Sequence, residues 1–252
     1  MKRAMFGKAA LTCVLASLAL AACSPAPREP AAEPRQPTVS GWTRPPVIES
    51  VRRVGPSLIV AGAAEPGARV VLRSDSGAAH AAAADDRGRF EIGMAAPSET
   101  LLLRPETQVG QDAATSPDRL LILAGGRGPI AVLRPGGATR RLDAAPALGA
   151  VDGDGAARLA SGRVQTPTAP LSVAAGGETL RVAPDAAGRW SLMLPPAGEG
   201  DEIRIDGQTF LWPGGGAPGS GLEVERAGLG WRVRWPGPSG GRQTTWLPDA
   251  AR

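Results

Sequence analysis

Apolar positions along this chain fall into three regimes. From Ala9 to Ala22 they are almost continuous, from Ser24 to Pro46 they nearly vanish, and from Val47 onward they return as short runs divided by glycine, proline and aspartate. The runs VIESVRRV, SLIVAGA, ARVVLRS, RFEIGM, TLLLR, RLLILAG and IAVLR are four to eight residues long and rich in Val, Ile and Leu. Short runs of that kind between turn residues predict strands, and many of them in series predict an all-β sandwich or barrel. Long stretches with helical spacing are missing. The alanine-rich AAHAAAADD around His80 has helix propensity, but it is short and flanked by turns, so it reads as strand or loop.

The first apolar regime reads as a leader. Lys2, Arg3 and Lys8 precede it, and the run is too short to stay in a bilayer, so residues 1–22 are expected to be removed as a signal peptide. It ends in Leu20-Ala21-Ala22-Cys23. This tetrapeptide resembles the lipobox of bacterial lipoproteins. The resemblance implies that Leu20, Ala21 and Ala22 are recognised by a signal peptidase and that Cys23 becomes the lipidated N-terminus. Two or three acyl chains, at about 0.8 kcal/mol per buried methylene, anchor a protein stably where one does not. Ser24 rather than aspartate follows the cysteine. Under the family's sorting rule this implies the outer membrane, facing the periplasm, with the outer leaflet of the inner membrane or the cell surface as alternatives.

Cleavage changes the composition. Cys13 leaves with the leader and Cys23 carries lipid, so no intramolecular disulfide is expected. With Lys2, Arg3 and Lys8 removed, the 28 basic residues fall to 25 against 24 acidic, which gives no electrostatic case for nucleic acid. The stretch SPAPREPAAEPRQPTVSGWTRPP holds seven prolines and little apolar surface, so residues 23–46 read as an extended tether. At about 3.1 Å per residue such a tether reaches roughly 70 Å.

The remainder repeats at an interval of one hundred residues. Gly62, Gly77, Asp85, Gly88, Arg89 and Phe90 recur without a gap as Gly162, Gly177, Asp185, Gly188, Arg189 and Trp190. Two sandwich modules follow, 47–147 and 148–252. In the shared D-x-x-G-R-aromatic stretch, Asp accepts backbone hydrogen bonds, glycine supplies a positive φ and the aromatic enters the core, which reads as a hairpin. AEPGARV at 64–70 followed by DDRGRF at 85–90 resembles the bacterial Ig-like modules of envelope and adhesion proteins, and also the carboxypeptidase-regulatory-like modules. The resemblance implies two tandem Ig-like β-sandwiches. The second copy lacks the P-G-A-x-V segment, which leaves its strand order open.

Candidate chemistry is sparse. The mature chain has one histidine, His80, and neither lysine, tyrosine nor a free thiol, so most nucleophilic and acid-base constellations lack a member. Asp152-Gly-Asp154-Gly carries part of a calcium-loop pattern but reads better as a turn between modules. No cofactor or metal is expected. Trp231, Val233 and Trp235 share one strand face, with Arg232 and Arg234 on the other. Together with Trp246, the aromatic face is either a ligand platform or the core of the second module. The leading expectation is a non-enzymatic, lipid-anchored interaction or scaffold module whose partners are the membrane and another envelope protein or a glycan. The alternatives are a glycan-binding module using these tryptophans and arginines, and a hydrolase or accessory subunit using carboxylates alone.

Overall fold

A computed structural model describes residues 43–155, 157–166, 169–216, 221–237 and 241–250. The protein is all-β. In chain order the strands of its first half are β1 (Val47–Val54), β2 (Ser57–Ala63), β3 (Arg69–Ser74), β4 (Ala79–Ala83), β5 (Arg89–Ala95), β6 (Leu101–Val109), β7 (Asp112–Thr115), β8 (Arg119–Ile122), β9 (Ile130–Leu133) and β10 (Arg140–Arg141). The second half contributes β11 (Ala150–Gly153), β12 (Arg158–Arg163), β13 (Leu171–Ala175), β14 (Glu178–Val182), β15 (Arg189–Leu194), β16 (Glu202–Ile205), β17 (Gln208–Leu211), β18 (Glu223–Arg226), β19 (Gly230–Pro236) and β20 (Arg242–Pro248). Every run picked out from the apolar pattern carries a strand, although RLLILAG runs past β8 into a 3-10 turn at Ala124–Gly126, and the alanine-rich stretch around His80 contains β4.

The first half is a sandwich of a small sheet, β1-β2-β5, and a large one, β10-β9-β8-β6-β3-β4, with β7 also paired to β6. Period-two alternation decides what faces in. Along β5, Phe90, Ile92 and Met94 are buried while Arg89, Glu91 and Gly93 are exposed. The inward residues meet Leu58, Val60, Val70, Leu72, Leu103, Leu120 and Ile122 in one core. The fourth strand pairs with the third, whereas a constant-type Ig domain places it beside the fifth.

The second half repeats this frame and then departs from it. β15-β12-β11 match β5-β2-β1, and β14-β13-β16 match β4-β3-β6. In the first sandwich the closing strands β8 to β10 extend the sheet of β3, but their counterparts β18 to β20 join β11 in the other sheet. The strand order left open by the sequence therefore differs between the copies in its last third.

The repeated D-x-x-G-R-aromatic stretch is not a hairpin. β4 pairs with β3 and β5 with β2, so the turn between them carries the chain from one sheet to the other. Asp85 accepts the N–H groups of Arg87 and Arg89 at 2.9 and 2.8 Å, and Asp185 accepts those of Ala187 and Arg189 at 2.8 Å each. Both serve as Asx turns at the corner.

The two sandwiches are fused. Because successive side chains along β8 and β9 point to opposite faces, Leu121, Leu123, Ala131 and Leu133 point away from the first core, and they pack on Ala150, Val233, Trp235 and Leu247 from the outer face of the β11-β20-β19 sheet. Four of these leucines are fully buried. At roughly 1.5–3 kcal/mol per side chain, separation would forfeit on the order of 10 kcal/mol. A short linker, with its millimolar effective concentration, leaves only about 4 kcal/mol of association to be met, so the junction stays closed.

Candidate functional site

Leu20, Ala21, Ala22 and Cys23 lie outside the described residues, as does the tether up to residue 42. Trp231, Trp235 and Trp246 do not form one exposed strip. Trp235 is 1 % exposed in the junction between the sandwiches, and Trp246 is 1 % exposed on the opposite face of its sheet, edge-on to Trp212 inside the second core. Trp231 is half-buried, with the Arg226 guanidinium 4.9 Å from its ring centroid. The pleat keeps Trp231, Val233 and Trp235 on one face, as the alternation predicts, and the fused sandwich covers it.

The junction also holds a buried polar network. Asp152 accepts the backbone N–H of Thr139 at 2.7 Å on Oδ2, and the hydroxyls of Thr139 and Thr245 at 2.6 and 2.7 Å on Oδ1. Thr245 in turn accepts Trp235 Nε1–H at 3.1 Å, while the Ser161 hydroxyl donates to the Thr139 carbonyl at 2.8 Å. Burial pushes the Asp152 carboxyl up to about 6, against the hydrogen bonds from Thr139 and Thr245. Asp154 does not share this site. Its carboxylate accepts the Ala157 N–H at 2.9 Å across the β11–β12 turn, so the Asp152-Gly-Asp154 pattern splits between two places.

The face of the β15-β12-β11-β20-β19-β18 sheet opposite Trp235 lines a cleft of about 270 Å3. One cross-strand row supplies much of its wall. Paired residues run Leu194, Arg158, Gly153, Thr244, Arg234 and Glu223 through β15, β12, β11, β20, β19 and β18, so all six share one face. Arg242 stands two residues before Thr244 on that face, and Trp212, Gly215 and Gly216 close the other side.

The arginines are held differently. Arg234 gives Nε to Glu223 at 2.9 Å and Nη1 to Glu225 at 2.8 Å, and Arg232 binds Glu225 and the carbonyls of Pro213 and Gly214. The hydrogen bond from Arg232 holds the Glu225 carboxyl below the usual carboxylate range. Arg158 is 5 % exposed, with Nε and Nη2 on the Pro195 carbonyl at 3.1 and 2.5 Å and Nη2 on Asp201 at 3.0 Å. Its guanidinium lies 5.9 Å from the Trp212 ring centroid. Among the described residues, Nη1 of Arg158 and Nη1 of Arg242 are buried without a hydrogen-bond partner.

The sequence pattern carried a signal for Arg158 that the strand reading passed over. At the hundred-residue interval it matches Leu58, which is fully buried in the first core. An arginine at a core position of one copy marks a place where the second copy gave up apolar packing. Trp212 and Arg242 fall in the part of the chain where the repeat fades, and nothing in the local pattern distinguishes them.

No family model matches the chain, and no curated protein matches it either.

Proposed function

We propose that the chain is a non-enzymatic, lipid-anchored interaction module of the bacterial cell envelope, held at Cys23 and carrying a two-sandwich body on its proline-rich tether. The observation that supports the body's role is the fused junction. Leu121, Leu123, Leu133, Val233, Trp235 and Leu247 share one buried cluster, and Asp152 ties Thr139 to Thr245 across it. A body of that kind presents surfaces from both sandwiches in a fixed relation, which suits a docking or scaffold part better than a string of independent spacers. The anchor rests on the leader and on Leu20-Ala21-Ala22-Cys23.

The reading is tested by expressing the full chain in a lipoprotein-processing bacterium and fractionating the envelope. Wild type is expected in the membrane fraction, with an N-terminal peptide that starts at Cys23 and carries acyl mass. Cys23→Ser is expected in the soluble periplasm with the same thermal transition. Unchanged fractionation of Cys23→Ser, or an unmodified Cys23, overturns the anchor.

A further inference from the structure

We infer that the free edge of β4 pairs with the same edge of a second copy of this chain, antiparallel and centred on Ala81, so that two bodies join through one continuous sheet. The inference concerns the body alone and stands whether or not Cys23 carries lipid.

The ladder leaves this edge open. β3 and β4 pair Arg73 with Ala79, Val71 with Ala81 and Arg69 with Ala83. The Ser74 N–H donates to the Ala78 carbonyl and the Ala84 N–H to the Ala68 carbonyl, both at 2.8 Å, which fixes the hydrogen-bonded pairs at the alternate positions. The N–H and C=O groups of Ala79, Ala81 and Ala83 therefore point away from β3. β4 ends its sheet, and among the described residues these groups have no backbone partner on that side. The three alanines are exposed, while His80 and Ala82 face the other way and are half-buried.

Open edges are ordinarily guarded by charge, proline or shortness. Exposed Arg52, Glu91, Arg181, Arg189 and Arg226 stand on the edge strands β1, β5, β14, β15 and β18. β17 lacks a charge, but it is short and runs into Pro213. β4 has none of these guards. At the hundred-residue interval Ala81 matches Arg181, so the second sandwich carries, in the middle of the same edge, the charge that the first one lacks.

The edge is complementary to itself. Pairing about Ala81 sets Ala79 against Ala83 of the other chain and Ala81 against its own counterpart, each pair exchanging both N–H···O bonds. Only methyl groups meet on the exposed face. Arg69 and Arg73 lie one strand back on β3, so Arg73 of one chain and Arg69 of the other are three strand spacings apart, roughly 14 Å, beyond the ~8 Å screening length of physiological salt. At the strand ends Asp75 of one chain approaches the corner of the other, where Arg87 and Arg89 offset Asp85 and Asp86. A symmetric partner thus meets no unbalanced like charge, and this selects a second copy as the occupant. A pairing of so few residues buries less than the roughly 1,200 Å2 of stable complexes, so the contact is weak in solution.

The test is analytical sedimentation of the purified full chain carrying Cys23→Ser, at neutral pH and concentrations up to about 1 mM. A reversible dimer with a Kd of about 100 μM is expected, the scale of a small contact. Ala81→Arg and Ala81→Glu, each added to that chain, set like charges on facing positions of the symmetric pair. Each is expected to weaken the dimer about tenfold or more, with the thermal transition unchanged because the side chain is exposed. An equimolar mixture of the two is expected to recover dimer, since Arg then faces Glu. Only pairing of β4 with itself at Ala81 predicts that recovery. A parent chain that stays monomeric at about 1 mM leaves the edge to a strand of some other protein and overturns the inference. Variants that dimerise as the parent does, or a mixture that stays monomeric, overturn it as well.

Discussion

Asp152 and Thr139 meet across the junction of the two sandwiches, the carboxylate taking both the backbone N–H and the hydroxyl of the threonine, at 2.7 and 2.6 Å. Three donors favour the charged form, yet burial outweighs them and lifts the carboxyl from 3.8 to about 6. The folded chain therefore binds a proton here that the unfolded chain has released. The contribution is fully present below about pH 4 and is lost as pH rises through 6. A shift of that size corresponds to at most about 3 kcal/mol, because Asp152 is half-buried and solvent screens part of it. Urea unfolding of wild type and Asp152→Asn from pH 4 to pH 7 isolates it from the other carboxylates. Relative to the variant, wild type is expected to lose stability over that range. Parallel curves would show that Asp152 does not titrate there.

Gly62 and Gly162 occupy the same place in their sandwiches, each opposite the aromatic that follows the sheet-to-sheet corner. An added Cβ at Gly62 would stand 2.1 Å from the Val47 carbonyl and 2.9 Å from Phe90, and one at Gly162 would stand 2.0 Å from the Ala147 carbonyl and 2.9 Å from Trp190. Backbone cannot yield by that much, so alanine at either site is expected to cost roughly 3 kcal/mol or more. Gly177→Ala is the control. Its φ of 82° is unfavourable for alanine, but the space around it is open, so roughly 1–2 kcal/mol is expected. Equal midpoint shifts for Gly162→Ala and Gly177→Ala would refute the packing argument.

Cooperativity follows from the shared junction. Leu133 belongs to the first sandwich by sequence but is buried against the second. Leu133→Ala is expected to cost about 2–5 kcal/mol. Calorimetry of wild type should show one transition, because neither sandwich can unfold without exposing the junction of the other. Two well-separated transitions in wild type would mean that the sandwiches unfold independently.

Strand positions were legible because period-two alternation and turn chemistry are local. The repeat was legible because the same corner needs Asp, Gly and an aromatic twice. Pairing was not. Nothing within β18 to β20 says that they add to β11 rather than to β16, since that choice is made by contacts far apart in sequence. For the same reason the Trp231 and Trp235 face could be assigned from alternation while its cover, Leu121 to Leu133 of the other sandwich, could not. The near-continuous apolar runs RLLILAG and IAVLR were the available clue, because a strand buried on both faces loses its alternation. The cleft was hidden further, as it depends on Gly153 falling between Arg158 and Thr244 in one cross-strand row.

The last prediction separates a buried ion pair from a surface one. Arg141 is held bidentately by Asp143, at 2.7 and 2.6 Å, and also donates to the carbonyls of Gly149 and Pro248, so it pins the connection between the sandwiches to the end of β20. Its side chain is 5 % exposed. Removing Asp143 would strand that buried charge and take the acceptor from the Ile130 N–H as well. Asp143→Ala is expected to cost roughly 3–5 kcal/mol. Arg52 and Glu91 make a comparable contact at 3.3 Å, but with side chains 55 % and 63 % exposed. There Glu91→Ala is expected to cost less than about 1 kcal/mol, and less again in high salt. Denaturant midpoints for the two variants decide the matter. A cost for Asp143→Ala no larger than that for Glu91→Ala would mean that the Arg141 contacts do not hold the junction.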